Sequence, residues 1–222
     1  MISKLFYWYL DYFYVFYWQV LNLFVLKKAN QAITISDSKK PTIVIIPGVY
    51  EKWFFMKPLV DYLKQNEYTV YFVDTLGYNR DAIPEAAARV KELIESNDLK
   101  NVIIVAHSKG GLIGKYFLTA LNSDDRVRRL VTINTPFAGS IYASFFFNKS
   151  VRDFSPNSWI IKSLQQHKDI NNKIVSIYGI FDPHIPGGSH IDGAKNIQVP
   201  VIGHFRLLSD KLVQQAVLEN CK

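Results

Sequence analysis

The sequence predicts an α/β fold: a mostly parallel central sheet with helices on both faces. Three observations predict it. From Pro41 onward, short apolar runs alternate with stretches of helical spacing, the pattern of repeated βαβ units. Val102 to Val105 is β-branched and apolar throughout, as in a strand buried on both faces. A small-residue turn follows it directly, and then Leu112, Ile113, Tyr116, Phe117 and Leu121 recur at helical spacing.

Taken in order, residues 5–26 come first, LFYWYLDYFYVFYWQVLNLFVL, nearly all apolar or aromatic. On a helix, Lys4, Tyr7, Asp11, Tyr14, Trp18 and Asn22 share one stripe. Phe6, Tyr9, Leu10, Phe13, Phe16, Tyr17, Val20, Leu21 and Phe24 share the other side, which makes an amphipathic aromatic helix. The length reaches the roughly 20 residues of a membrane span, but Asp11 would be costly at mid-membrane. Three fates stay open: docking on the domain, lying in a membrane interface, or spanning. No small-x-small site follows the run, which speaks against a cleaved signal peptide. Lys27 to Lys40 is polar and reads as a linker or short extended segment. The chain thus divides into 1–40, an N-terminal aromatic helix and linker, and 41–222, one α/β domain.

Within the domain, Thr42 to Ile46 is the first buried strand and ends at Pro47-Gly48-Val49. Phe55 to Gln65 reads as a helix. Thr69 to Val73 is the next strand, with Asp74 at its end in a turn or capping role. Ile83 to Ser96 is a helix with Pro84 in its first turn. Val127 to Ile133 is a strand leading into Asn134-Thr135-Pro136. Residues 141–172 hold an aromatic patch at Phe145 to Phe147 and a helix ending near His167. Lys173 to Tyr178 and Ile197 to Ile202 are strands, and Ser209 to Glu219 is a closing helix.

Composition narrows the function. A chain of 222 residues is long enough for one domain with a full core. The net charge of +7 allows an anionic partner, but the Lys and Arg residues are scattered, which argues against nucleic acid. The single cysteine, Cys221, permits no internal disulfide and gives no sign of an oxidising compartment. The expected location is cytoplasmic or peripheral at the membrane. With no metal-ligand spacing and no phosphate-binding glycine loop, no cofactor is expected.

The chemistry centres on Ala106-His107-Ser108-Lys109-Gly110-Gly111. A serine at the apex of a strand–turn–helix, flanked by small residues, is the context of a nucleophile elbow. The backbone N–H of Lys109 then lies at a helix N-terminus, where partial positive charge suits an oxyanion. A second donor belongs on the loop after the first core strand, so the N–H of Val49 is the candidate, with Tyr50 next. A serine hydroxyl needs a general base, and the base needs an orienting carboxylate. Asp182 and His204 each follow a late strand, giving the order Ser108, Asp182, His204. Asp192 and Asp153 compete with Asp182; Asp192 precedes Gly193 and reads as a turn. Of the other histidines, His107 is held at the elbow, His167 sits on a helix, and His184 and His190 could line the site mouth. Substrate-binding candidates are Tyr50, Trp53 and Phe137, with Phe54 and Phe145 to Phe147 as further apolar surface.

These residues resemble the α/β-hydrolase superfamily, and within it the small bacterial lipases and esterases. Ile46-Pro-Gly-Val-Tyr50, Ala106-His-Ser-Lys-Gly-Gly111, Asn134-Thr-Pro-Phe-Ala-Gly-Ser140, Ile177-Tyr-Gly-Ile-Phe-Asp-Pro183, and Asp192 to Ile197 running on to Gly203-His204 carry the likeness. Pro47 stands where many relatives carry His, and the aromatic head is an addition to the smallest lipases. The resemblance implies an α/β-hydrolase fold and a serine carboxylic-ester hydrolase acting through an acyl-enzyme on lipid-like esters. Alternatives are a non-catalytic or membrane-associated scaffold and an acyltransferase. The expected partners are a small-molecule ester or lipid and a membrane surface met through residues 5–26.

Overall fold

The β-branched runs form six parallel strands: β1 (Thr42–Ile46), β2 (Val70–Phe72), β3 (Val102–His107), β4 (Val127–Ile133), β5 (Ile174–Phe181) and β6 (Lys195–Ile202). The computed structural model of the chain describes residues 4–24, 40–145 and 149–222. The linker expected after residue 26 and the phenylalanines at 146 and 147 lie outside the described residues. The strand order is β2-β1-β3-β4-β5-β6, parallel throughout. The helices are α1 (Lys4–Phe24), α2 (Lys57–Gln65), α3 (Ile83–Ser96), α4 (Lys109–Ala120), α5 (Lys149–Arg152), α6 (Trp159–Gln166) and α7 (Lys211–Asn220).

Alternate side chains of each strand feed two cores. Val44, Ile46, Val102, Ile104, Ala106 and Leu130 pack with α3, α4 and α6. Ile43, Ile45, Ile103, Val105, Val131 and Ile133 pack with α2 and α7 on the other face. A parallel strand buried on both sides needs this all-apolar composition.

Where element bounds differ from expectation, the cause is local. Helix α2 begins at Lys57, preceded by a separate 3-10 turn at Trp53–Met56. Pro58 has no N–H, so the ladder cannot reach back across it. Strand β5 runs through Gly179 to Phe181, because pairing with β6 resumes after an irregularity there. Helix α7 starts at Lys211, where the Asp210 carboxylate accepts the N–H groups of Leu212 (2.9 Å) and Val213 (3.4 Å).

Helix α1 docks by its polar stripe. Tyr14, Val15 and Trp18 pack against the α2–α7 core, Tyr14 donates to the Phe55 carbonyl at 3.3 Å, and Gln19 donates to the Tyr50 carbonyl at 3.1 Å. No described helix is long and apolar enough to cross a membrane.

Candidate active site

Parallel strands aligned in register end at a common edge. Ile46 pairs with Ala106, His107 with Ile133, and Ile133 with Ile177. The loops carrying Val49, Ser108, Asn134, Asp182 and His204 therefore share one rim, the carboxyl edge where open α/β sheets hold their ligands.

Ser108 sits between β3 and α4 at φ 50°, ψ −120°, a backbone region costly for a residue with a Cβ. It is held there by its N–H donating to Ile133 O (2.9 Å) and by Thr135 Oγ1 and Gly111 N donating to its carbonyl (3.0 Å each). The two glycines after it are needed for space. A Cβ at Gly110 would strike the Ile46 carbonyl, and one at Gly111 would strike the Thr135 side chain.

His204 Nε2 lies 2.9 Å from Ser108 Oγ, and His204 Nδ1 lies 2.6 Å from Asp182 Oδ2. All three are buried. The other Asp182 oxygen accepts the N–H groups of His184 (2.8 Å) and Ile185 (3.2 Å), which fixes the carboxylate. The carboxylate accepts a hydrogen bond from Nδ1–H and so keeps the proton on that nitrogen, leaving Nε2 as acceptor for the serine hydroxyl. Burial disfavours the His204 imidazolium, but Asp182, by charge and hydrogen bond, and then Asp11 and Glu51 outweigh it and raise the pKa.

The backbone of His204 is clamped from both sides. Its carbonyl accepts Asn134 Nδ2 at 3.1 Å and faces His107 Nε2 at 3.1 Å. His107 Nδ1 in turn meets Glu51 Oε2 at 2.9 Å, and the same oxygen accepts Gly48 N at 2.8 Å. From the opposite side, Asp11 of α1 reaches the loop. Its carboxylate accepts the N–H groups of His204 (2.8 Å), Phe205 (2.9 Å) and Arg206 (3.0 Å) and is fully buried. Gly203 makes room for it: at φ 131° a Cβ there would lie only 2.8 Å from Asp11 Oδ1.

Beside Ser108 and His204 lies a cavity of about 260 Å³ lined by Tyr12, Val15, Val49, Tyr50, Tyr142 and Phe154, among others. Of the expected substrate-binding residues, Tyr50 is on this wall and Trp53 and Phe137 are not. Trp53 packs on Phe72 with ring centroids 4.2 Å apart and the planes tilted by 31°. Phe137 is buried in the core beside α4. Aromatic type alone did not separate wall from core. Phe54 is likewise buried, against Trp18.

Val49 lines the cavity, while the Tyr50 N–H already donates to Tyr78 O at 2.8 Å. Lys109 opens α4, so its N–H has no partner within the helix. Its side chain is buried and donates to the carbonyls of Asn79 (3.0 Å) and Asp81 (2.6 Å). Burial brings that ammonium down to about 8.

His184 completes the mouth. Its ring stacks on Trp8 of α1 at 5.6 Å and lies 5.0 Å from His204. Burial, with the neighbouring His204 charge, lowers it to about 4, so it is neutral near pH 7. The competing residues lie elsewhere: Asp192 and His190 are exposed, His167 bonds the Ser163 carbonyl on α6, and Asp153 lies near the Lys109 ammonium. The sequence reading missed Asp11 and Glu51 as site residues. An acid in the middle of an aromatic helix was the one available signal, since such a group must find buried donors.

A model of the alpha/beta hydrolase fold matches residues 41–157, about half the chain; the chain belongs to this family. Among solved structures it is similar to the mature form of the Bacillus licheniformis lipase BlEst2, with TM-score 0.69 and 19% identity over 86% of this chain and 96% of that one. It is also similar to an enol-lactonase from Burkholderia xenovorans LB400, with TM-score 0.60 and 12% identity over 86% and 94%. Epoxide hydrolase B of Mycobacterium tuberculosis is 29% identical over 112 residues, covering 46% of this chain and 31% of that protein. The match thus spans under a third of that curated relative.

Proposed function

We propose that the protein is a serine carboxylic-ester hydrolase of lipase or esterase type, acting on lipid-like esters. The observation that carries this is the hydrogen-bonded line Ser108–His204–Asp182, at 2.9 and 2.6 Å, opening on a cavity with a largely apolar wall. Ser108 attacks the ester carbonyl while His204 Nε2 takes its proton. Asp182 holds the imidazole and stabilises the imidazolium. His204 then returns the proton to the departing alkoxide, leaving an acyl-enzyme and free alcohol. Water, deprotonated by His204, releases the acid and restores the serine. The N–H groups of Val49 and Lys109 bind the oxyanion in both steps, at roughly 3 kcal/mol per donor. Tyr50 and the other aromatic wall residues hold the acyl chain.

Ser108→Ala is expected to abolish turnover of a p-nitrophenyl ester without changing the melting temperature by more than a few degrees. Wild-type turnover by that variant would refute the proposal.

A further inference from the structure

An amphipathic helix on a globular domain ordinarily hides its apolar face. Helix α1 does the reverse. Phe6, Tyr9, Leu10, Phe13, Phe16 and Tyr17 form an i, i+3, i+4, i+7 stripe that faces outward, from 38% exposed at Leu10 to 75% at Tyr9. None of the six is charged, and among the described residues nothing covers them.

We propose that this stripe seats the protein on a lipid surface, next to the mouth of the Ser108 cavity. The position beside the mouth gains its meaning from the ester-hydrolase reading; the seating itself does not depend on it. Three observations select lipid as the occupant. The stripe is rich in Phe and Tyr, with Trp8 at its margin, the side chains that suit the boundary between headgroups and acyl chains. The net charge of +7 and the basic residues bracketing the helix in sequence, Lys4 and Lys27-Lys28, complement anionic headgroups. Tyr12, half-exposed on α1, also lines the cavity, so contact surface and pocket are continuous.

Asp11, locked to the N–H groups of residues 204–206, ties the seated helix to the His204 loop.

The test is flotation of the full chain with vesicles of phosphatidylcholine alone and with equal parts of phosphatidylglycerol. The wild type is expected to float with both, more strongly with the anionic ones. Phe13→Glu/Phe16→Glu lies outside the pocket and is expected to reduce vesicle binding at least about tenfold, since two buried phenyl groups are lost from the contact. Its melting temperature and its turnover of a water-soluble ester should match the wild type. Trp159→Glu, at another exposed aromatic on α6, should float as the wild type does. Failure of the wild type to float with either vesicle would overturn the proposal. So would equal loss in the Trp159 variant, or a dimer in sedimentation equilibrium that the double variant dissolves. Flotation needs no turnover, so failure of the seating and failure of the ester-hydrolase reading are separately visible.

Discussion

Helices α1 and α4 both serve the same histidine, and they are held by different means. Helix α4 is buried along almost its whole length, from Lys109 through Leu118 apart from Tyr116. It reaches the sheet so closely that Gly110, Gly111 and Gly114 have no room for a Cβ. Helix α1 touches the domain through Asp11, Tyr14, Trp18 and Gln19 and turns its aromatic stripe outward. One helix is placed mainly by packing; the other adds to the packing of Tyr14, Val15 and Trp18 a buried carboxylate that accepts three N–H groups. Hydrogen bonds to a charged group contribute about 1.5–3 kcal/mol each, enough for three of them to decide which face of a helix docks.

The contrast predicts a graded response to substitution. The largest loss of stability belongs to the core beside α4. Phe137→Ala is expected to cost about 3–5 kcal/mol in chemical denaturation with KM little changed, which would also separate Phe137 from the cavity wall. Gly111→Ala must displace Thr135 and with it the Ser108 carbonyl. It should cost about 1–3 kcal/mol and most of kcat.

Asp11→Asn comes next. It keeps the shape, but an amide nitrogen cannot accept, so the His204 N–H loses its partner at Oδ2 while the two bonds to Oδ1 weaken, for a loss of about 1–3 kcal/mol. It also has a signature that a merely structural change would lack. In the proposed mechanism the general base works neutral, so kcat/KM should fall as pH drops through the His204 pKa, which lies above the ordinary 6.5. Asp11 is one of the charges raising that value, so the variant's acid limb should move to lower pH. An unmoved limb would reduce Asp11 to scaffolding. Smallest of all, Phe16→Glu on the outward stripe should change stability in buffer by no more than about 0.5 kcal/mol.

Much of the sheet was legible because periodicity is local. The bounds of β1, β4 and α3 coincide with the apolar runs and with Pro84 in the first turn of α3. The expected end of β5 fell short because a glycine in a strand reads as a turn, while pairing with β6 carries the strand past it. The candidate site was legible to the extent that strand ends imply a common rim, where the structure brings Ser108, Asp182 and His204 within hydrogen-bond distance. Trp53 and Phe137 could not be separated from Tyr50, because residue type does not say whether a ring faces core or cavity. Nor did the pattern on α1 say which stripe docks. That depended on three N–H groups some 193 residues further along the chain.

The most direct measurement is labelling with a fluorophosphonate, followed by peptide mapping of the intact chain. One adduct is expected, on Ser108, forming at least about a thousandfold more slowly in His204→Ala, as removal of the base from a serine triad entails. No adduct in buffer or in detergent, or an adduct on another serine with Ser108 unmodified, would contradict it.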